Sequence, residues 1–206
     1  MRLTLHTFLT LDGVMQGPGG VDEDQSGGFE RGGWLPPYVD EGFGEIVGSW
    51  FTKADAILLG RTTYDLMYPY WSAIPASENP AAEKLNGRKY VASGTLKNPG
   101  WEGTTVLDGD VLDAVRDLKE QPGDELQVHG SCALARDLHA AGLFDEYRLL
   151  VFPVVVGQGK RLFEDGMPAS GFTVTESRTT PAGVTYVALT PTPFKAGHVL
   201  DEPERR

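Results

Sequence analysis

The feature that most constrains the fold of this chain is an alternation of short predicted strands with helical patterns, joined by turns of glycine and hydroxyl residues. Residues 56–59 are fully apolar, as in strands that are covered on both faces of a sheet. A glycine ends that run, and Thr62 or Thr63 is predicted to cap the helix that follows. A second predicted strand, residues 126–129, leads into Gly130-Ser131 and another helix. Such alternation predicts a parallel sheet covered by helices.

The remaining segments extend the same pattern. Apolar residues recur at three- and four-residue steps between Val39 and Phe51, which predicts an amphipathic helix that opens at Pro36-Pro37. The last two predicted strands, residues 171–176 and 183–189, follow one another without a helix, which favours an antiparallel pair. Further strands are predicted at residues 3–9, 89–92, 104–107 and 146–156, and further helices at residues 80–85, 111–119 and 131–141.

These elements predict an α/β fold with three layers, in which a mostly parallel central sheet carries an antiparallel edge at its C-terminal end. One domain, residues 1–190, accommodates all of them, because a chain of 206 residues is long enough for one large core. Residues 191–206 contain prolines and charged residues and are predicted to form a loosely held tail.

The composition excludes several classes of function. The formal net charge is −11, so the chain has no basic surplus with which to bind nucleic acid or an anionic membrane surface. No apolar run approaches the ~20 residues that a membrane span needs, and the first residues alternate instead of forming the apolar block of a signal peptide. The single cysteine, Cys132, permits no internal disulfide and is typical of a small core residue. We therefore expect a cytoplasmic protein.

Three strand ends carry residues suited to an anionic ligand: Gly60-Arg61-Thr62-Thr63, Ser93-Gly94-Thr95 and Gly130-Ser131. In open α/β sheets, ligands bind beyond the carboxyl ends of the strands, where helix N-termini offer unpaired N–H groups. Glycine lets the backbone approach a phosphate closely, and Arg61 adds a forked cation. A glycine also ends many strands for geometric reasons alone, but three such turns in one α/β domain favour a nucleotide that carries phosphate groups.

Other functional motifs are absent or ambiguous. The chain has no G-x-x-x-x-G-K-[ST] phosphate loop, no G-x-S-x-G nucleophile elbow and no G-x-G-x-x-G turn after its first strand. Its histidines show no metal-ligand spacing, so no metal is predicted. His129, at a strand end, either faces a ligand or makes a structural hydrogen bond. The glycine-rich segment at residues 13–33 is either a functional loop or a surface insertion.

Two carboxylates are candidates for proton transfer. Asp12 follows the first predicted strand, where a side chain can meet a substrate in the cleft, although an Asp-Gly pair is also an ordinary turn. Asp40 falls in the first turn of the first predicted helix, where an acidic residue also interacts favourably with the helix dipole. For both residues, a purely structural role is therefore an alternative interpretation.

Six segments occur in an order that resembles a known family: FLTLDG (8–13), LGRTTY (59–64), KYVASGTL (89–96), VHGS (128–131), GLFDEY (142–147) and PVVVGQG (153–159). The chain resembles the dihydrofolate-reductase-like proteins, in the branch related to the reductase domain of bacterial riboflavin biosynthesis. The resemblance extends from about residue 2 to residue 190. It implies the three-layer dihydrofolate-reductase-like fold.

The resemblance also implies roles for single residues. Two turns would hold the pyrophosphate of a dinucleotide, Gly60, Arg61, Thr62 and Thr63 in the first and Gly130, Ser131 and Cys132 in the second. Arg61 and Ser93 would lie near the adenosine 2′-phosphate, so the expected cofactor is NADPH. The segment WLPP at residues 34–37 is similar to the one before the substrate carboxylate of dihydrofolate reductases, which points to Asp40 as the proton-relay acid.

The activity that the resemblance implies is NADPH-dependent transfer of a hydride to a small flat heterocycle of the pterin or aminopyrimidine type. The zinc deaminase signature that accompanies the riboflavin reductase in two-domain enzymes is absent from this sequence. Two alternatives stay open: a catalytically weak NADP(H)-binding sensor or structural protein, and a flavin-binding protein that uses the same turns. A homodimer is expected, with the strand predicted at residues 146–156 pairing or packing across its two-fold axis.

Overall fold

The computed structural model describes residues 1–197 of the chain. In this part of the chain, eight strands form one central sheet. The strands are β1 (Arg2–Thr10), β2 (Ala54–Gly60), β3 (Lys89–Ala92), β4 (Thr104–Leu107), β5 (Glu125–His129), β6 (Glu146–Phe152), β7 (Ser170–Thr179) and β8 (Thr185–Pro193). Their order across the sheet is β4-β3-β2-β5-β1-β6-β8-β7. Every pair from β4 to β6 is parallel, whereas β8 pairs antiparallel with both β6 and β7.

Helices cover both faces of this sheet. Those of the described residues are α1 (Glu41–Trp50), α2 (Arg61–Trp71), α3 (Pro80–Leu85), α4 (Val111–Glu120) and α5 (Cys132–Ala140). Apolar side chains of α1, α2 and α3 pack on one face, and those of α4 and α5 pack on the other. The prediction of a three-layer α/β fold, with a mostly parallel sheet and an antiparallel C-terminal edge, is therefore confirmed.

The two faces of the central strands differ in chemistry, because successive side chains of a strand point to opposite sides. On β1, Leu3, Leu5 and Leu9 belong to the core beneath α4 and α5. The alternate residues His6 and Phe8 lie against Trp50 of α1, with ring centroids 5.0 and 5.7 Å from it. The α1 face of the sheet is consequently the face that carries the polar side chains of the candidate site.

The first long helix begins later than the sequence predicted. Pro36–Tyr38 form a separate 3-10 turn, and α1 starts at Glu41. Asp40 ends the intervening extended segment, and its Oδ1 accepts the N–H of Phe43 at 2.7 Å. A side-chain cap of this kind fixes the first turn of a helix. The start of α1 is therefore determined by Asp40 and not by the proline pair.

Two predicted boundaries near the C-terminal end were also wrong. β6 ends at Phe152 and has β1 on one edge and β8 on the other, so it offers no free edge for pairing across a two-fold axis. β8 continues to Pro193, whereas the sequence predicted that this strand ends at residue 189. Residues 198–206 of the predicted tail lie outside the described residues. Within residues 1–197, no helix has both the length and the apolar character needed to cross a bilayer.

Candidate functional site

Two strand-to-helix junctions meet at the centre of the sheet and hold each other in place. β2 and β5 are neighbours, so their carboxyl ends lie side by side. Ser131 Oγ accepts the N–H of Gly60 at 2.8 Å, and the N–H of Ser131 donates to Thr63 Oγ1 at 3.1 Å. These reciprocal hydrogen bonds join the first turn of α2 to the first turn of α5.

The second junction has an unusual backbone. Gly130 and Ser131 have φ angles of +57° and +56°, and Ser131 is the one non-glycine residue with positive φ among residues 1–197. The left-handed conformation costs an L-residue roughly 1–2 kcal/mol. The hydrogen bonds that Ser131 makes with Gly60 and Thr63 offset this cost, and they explain why serine is accepted at a position that favours glycine.

The helices that begin at these junctions lack side-chain caps. Side chains cap the N-termini of the other three helices, namely Asp40 for α1, Asn79 for α3 and Asp110 for α4. No side chain caps α2 or α5. The predicted capping of α2 by Thr62 or Thr63 is therefore wrong, because Gly60 takes the N-cap position and Thr63 turns to the other junction. Uncapped N–H groups leave both helix N-termini open to an anion.

A cavity of about 460 Å³ lies over the two junctions, within the size range of small-molecule sites. Seven of the residues predicted to bind a cofactor line it: Gly60, Arg61, Thr62, Thr63, Gly130, Ser131 and Cys132. A second cavity of about 800 Å³ shares Gly60 and Arg61 with the first and is also lined by Ser93. The structure thus brings the predicted cofactor-binding residues together around two adjoining cavities.

Cys132 contributes to the wall of the first cavity as a protonated thiol. Its Sγ donates to the carbonyl oxygen of Arg161 at 3.2 Å. Burial raises the pKa of this thiol above its usual value. Because the thiolate is the nucleophilic form, the structure agrees with the sequence in giving Cys132 a packing role and not a nucleophilic one.

The glycine-rich segment forms another wall of the first cavity, where residues 16–19 contribute to the lining. The Gln16 amide donates to the carbonyl oxygens of Asp24 and Ser26 at 3.1 and 2.9 Å, and its Oε1 accepts the N–H of Lys160 at 3.0 Å. The Lys160 ammonium pairs with the Asp24 carboxylate at 2.6 Å. These contacts favour the functional-loop interpretation. Nothing in the local sequence pattern indicates Gln16 or Lys160, because the two residues that meet here are far apart along the chain.

Asp12, predicted as a catalytic acid, does not line either cavity. Its carboxylate accepts the hydroxyl of Thr10 at 2.6 Å and the N–H of Gly157 at 2.8 Å, and it lies 3.5 Å from the Arg161 guanidinium. Although partial burial acts in the opposite direction, these hydrogen bonds lower the pKa of Asp12. The structure therefore makes Asp12 the anchor of the turn that includes Gly157 and does not place its carboxylate at either cavity.

Asp40, the second predicted acid, is likewise absent from the lining of both cavities. Besides capping α1, its Oδ2 accepts the N–H of Ala182 at 2.8 Å. The N–H groups of Phe43 and Ala182 lower the pKa of Asp40, so it is an ionised cap at neutral pH. The resemblance of residues 34–37 to a substrate-binding segment therefore does not extend to a carboxylate in the cavity.

Five side chains form the inner end of the first cavity: His6, Phe8, Trp50, Phe51 and His129. The ring of His129 stacks between those of His6 and Phe51, with centroids 4.9 Å from each. Burial, together with the charge of Arg148, lowers the pKa of His129 to about 3. Burial is also the main cause that lowers the pKa of His6, so both imidazoles are neutral at pH 7. Both alternatives considered for His129 are compatible, since it lines the cavity and is also hydrogen-bonded to the protein.

A buried ion pair lies beneath the two histidines. Arg148 donates to the carboxylate oxygens of Glu125 at 2.6 and 3.0 Å. Glu125 also accepts from the amide of Gln127 at 2.7 Å and from the hydroxyl of Thr4 at 3.5 Å. Thr4 and Gln127 in turn contact the Nε2 atoms of His6 and His129, at 2.9 and 3.0 Å. The available sequence indication was a run of alternate polar residues on two predicted strands, but it does not reveal that these strands are neighbours.

This fold, with its site at the carboxyl ends of the central strands, is that of the dihydrofolate-reductase-like α/β proteins. The chain belongs to the RibD C-terminal domain family, which matches residues 2–186. It is 31% identical over 192 residues to the uncharacterized protein YyaP of Bacillus subtilis (strain 168), covering 90% of this chain and 93% of that protein.

Solved structures with low sequence identity share the fold. A protein from Shewanella sp. PV-4 that is assigned to riboflavin biosynthesis matches with a TM-score of 0.66 and 22% identity, covering 93% of this chain and 99% of that one. Dihydrofolate reductase from Enterococcus faecalis, in complex with NADP(H), matches with a TM-score of 0.60 and 13% identity, covering 92% and 96%. The fold expected from the order of sequence motifs is therefore confirmed.

Proposed function

We propose that the protein is a cytoplasmic NADPH-dependent reductase that transfers a hydride to a small flat heterocycle of the pterin or aminopyrimidine type. The observation that carries this proposal is the presence of two uncapped helix N-termini, those of α2 and α5, at one cavity. Together they supply N–H groups and partial positive charge for a pyrophosphate. Membership of the RibD C-terminal domain family and the NADP(H) complex of the enterococcal reductase support the same cofactor.

In this proposal, the residues at 60–63 and 130–132 hold the pyrophosphate, and the nicotinamide shares the first cavity with the substrate. The cofactor supplies the hydride when bound. The protein's own contribution is to orient two flat rings against each other and to exclude water from them. The aromatic inner end and the glycine-rich wall, held by Gln16 and Lys160, are suited to both tasks.

The second cavity bears on the choice between NADPH and NADH. Arg61 donates its Nε–H to Asp65 at 2.7 Å, which leaves the terminal guanidinium N–H groups for a phosphate. Ser93 lines the same cavity as Arg61. Asp110 and Asp137 line it too, and their carboxylates repel a phosphate. We assign the 2′-phosphate to Arg61 and Ser93, because Arg61 is the cation that both cavities share.

The assignment is tested by tryptophan fluorescence, since Trp50 and Trp71 line the first cavity. NADPH should quench the emission at lower concentration than NADH. Arg61→Ala should weaken the binding of NADPH at least about tenfold more than the binding of NADH, as expected for the loss of a charge-assisted hydrogen bond. The matched control is Arg116→Ala, which also removes an exposed arginine paired within its own helix, in that case to Asp113. Equal affinities for both cofactors in the wild type would contradict the assignment to NADPH.

A second candidate is a catalytically weak NADP(H)- or flavin-binding homodimeric sensor. The positions of Asp12 and Asp40 favour it, because both predicted acids lie outside the two cavities. Oxidation of NADPH in the presence of a panel of pterins and aminopyrimidines separates the candidates. A reductase shows turnover with at least one compound, whereas a sensor shows saturable cofactor binding without turnover. Light scattering measures the oligomeric state that either candidate adopts.

A further inference from the structure

Two buried polar atoms at the inner end of the first cavity have no hydrogen-bond partner. Among residues 1–197, His6 Nδ1 and Trp50 Nε1 are the buried side-chain nitrogen or oxygen atoms left unpaired. His6 is 1% exposed and Trp50 is 2% exposed, and both line the cavity. Buried polar groups are almost always paired, so two unpaired polar atoms at one cavity mark a place where a ligand or an ordered water molecule supplies the partner.

The hydrogen-bond network beneath the cavity fixes the tautomer of His129. The amide nitrogen of Gln127 is identified by its two acceptors, the carbonyl oxygen of Trp50 at 2.6 Å and the Glu125 carboxylate at 2.7 Å. The amide oxygen of Gln127 therefore faces His129 Nε2 at 3.0 Å and accepts its proton. Because this imidazole is neutral, His129 Nδ1 carries a lone pair and is a hydrogen-bond acceptor.

The same carboxylate fixes the tautomer of His6. The hydroxyl of Thr4 lies 3.5 Å from the Glu125 carboxylate and 2.9 Å from His6 Nε2. We assign the hydroxyl proton to the carboxylate, so that the oxygen of Thr4 accepts the proton of His6 Nε2. The neutral His6 ring therefore also presents a bare Nδ1. Glu125, held by Arg148, thus positions both histidines as acceptors, while the indole of Trp50 can only donate.

The inner end contains no carboxylate. The acidic residues that line this cavity are Glu23 and Asp24, and both belong to the glycine-rich wall. Glu23 accepts the N–H groups of Gly19 and Gly20, and Asp24 pairs with Lys160. A cationic ring edge, such as a protonated amidine, therefore finds no counter-ion among the five aromatic side chains of the inner end.

We propose that the inner end binds the edge of an uncharged planar amide or lactam, whose N–H donates to His6 Nδ1 and whose carbonyl oxygen accepts from Trp50 Nε1. His129 Nδ1 is a second acceptor for the same edge. The inference rests on the proposed function only in placing a ligand in this cavity. A lactam in a heterocyclic substrate and the carboxamide of a nicotinamide ring share this chemistry, and the experiment below separates them.

The primary test compares three small rings of matched shape: 2-pyridone, N-methyl-2-pyridone and 2-aminopyridine. Titrations are followed by NMR of the ¹⁵N-labelled protein through the indole N–H of Trp50 and the ring nitrogens of the histidines. 2-Pyridone should shift the Trp50 indole resonance saturably. N-methyl-2-pyridone, which lacks the N–H, should bind at least about tenfold more weakly, because it leaves a buried acceptor unpaired. Equal binding of these two, preferential binding of 2-aminopyridine, or no saturation by 2-pyridone would each overturn the proposal.

Variants locate the interaction on the two unpaired atoms. Trp50→Phe keeps an aromatic ring but removes the indole N–H donor, and it should weaken the binding of 2-pyridone about tenfold. Trp71→Phe is the matched control, because Trp71 lines the same cavity but is not one of the five side chains of the inner end. His6→Phe should remove the preference for 2-pyridone over its N-methyl derivative. If a variant does not fold, the ring ¹⁵N shifts of the wild-type histidines still test the assignment, since a protonated Nδ1 on His6 would contradict it.

Repeating the titration with saturating NADP⁺ identifies the source of the amide edge. Unchanged affinity for 2-pyridone assigns the inner end to a substrate lactam, whereas loss of binding assigns it to the nicotinamide carboxamide. Either result supports an amide edge. Failure of NADP⁺ to bind at all would refute the proposed function but leave the comparison of the three rings intact, so the two failures are distinguishable.

Discussion

The two faces of strands β1 and β5 are built from the same segments of chain but have opposite chemistry. On the face beneath α4 and α5, Leu5, Leu126 and Val128 are fully buried among apolar neighbours. On the face beneath α1, Glu125 and Gln127 are just as inaccessible to solvent but form a hydrogen-bonded network. A strand with alternating polar and apolar residues normally has one face in water, whereas here both faces are buried.

The difference shows which face is built for stability and which for a site. Burial of a leucine side chain stabilises a fold by roughly 1.5–3 kcal/mol. A buried ion pair, by contrast, gains little or nothing over apolar residues of the same volume. The Glu125–Arg148 pair is therefore poorly explained by stability alone. Its hydrogen bonds with Thr4 and Gln127, which in turn contact the histidines of the cavity, supply the reason for it.

The largest expected effect is the loss of stability caused by a substitution on the polar face. Glu125→Ala should lower the free energy of unfolding by about 4 kcal/mol, because it leaves the Arg148 charge buried with Glu146 as its remaining partner. Urea denaturation measures the change. The double variant Glu125→Leu with Arg148→Met is the control and should recover most of the loss, since no unpaired charge is left. A loss below about 1 kcal/mol for Glu125→Ala would show that the face is more hydrated than its burial implies.

A somewhat smaller effect is expected on the apolar face. Leu126→Ala should cost about 3 kcal/mol, the usual range for a fully buried leucine, because the transfer free energy is lost and a cavity remains. The variant should keep the wild-type affinity for NADPH per folded molecule, since Leu126 lines neither cavity. Urea denaturation and fluorescence titration check the two parts. A weaker affinity would mean that the two faces are coupled.

The smallest expected effect is on pH dependence and again concerns the polar face. The pKa of His129 in the fold is about 3, and in the unfolded chain it is about 6.5, so only the unfolded state takes up this proton as the pH falls below 6.5. Stability is therefore full above pH 6.5 and should fall by about 2 kcal/mol for this histidine between pH 7 and pH 5. Urea denaturation at pH 7 and at pH 5 measures the free energy of unfolding that each protein loses between the two pH values. This loss should be smaller by about 2 kcal/mol in His129→Gln than in the wild type. An equal loss in both proteins would contradict the assignment of a neutral, buried His129.

Local patterns were sufficient for most of the fold. The apolar run before Gly60 and the helix that ends before Gly142 are short-range features, and the structure has both. The start of α1 was not predicted correctly, since Pro36-Pro37 and Asp40 are both acceptable openings by local criteria. The tertiary contact of Asp40 with Ala182 favours the later one.

The site was predicted in part. The glycine and hydroxyl residues at the ends of β2 and β5 were found because such turns have a local composition. The positions of Asp12 and Asp40 outside the cavities were not, since the partners that hold these carboxylates, Gly157 and Ala182, lie far away in the sequence. Both carboxylates are structural anchors as a result.

The sequence by itself determined the class of fold, because the periods of its apolar residues and the residues at its turns act over a few positions. It also located the turns that line the cavities. Tertiary structure alone decided which side chains form the inner end of the first cavity. His6 and His129 stack only because β1 and β5 are hydrogen-bonded neighbours in register. Strand order depends on contacts between distant parts of the chain, and no local pattern specifies it.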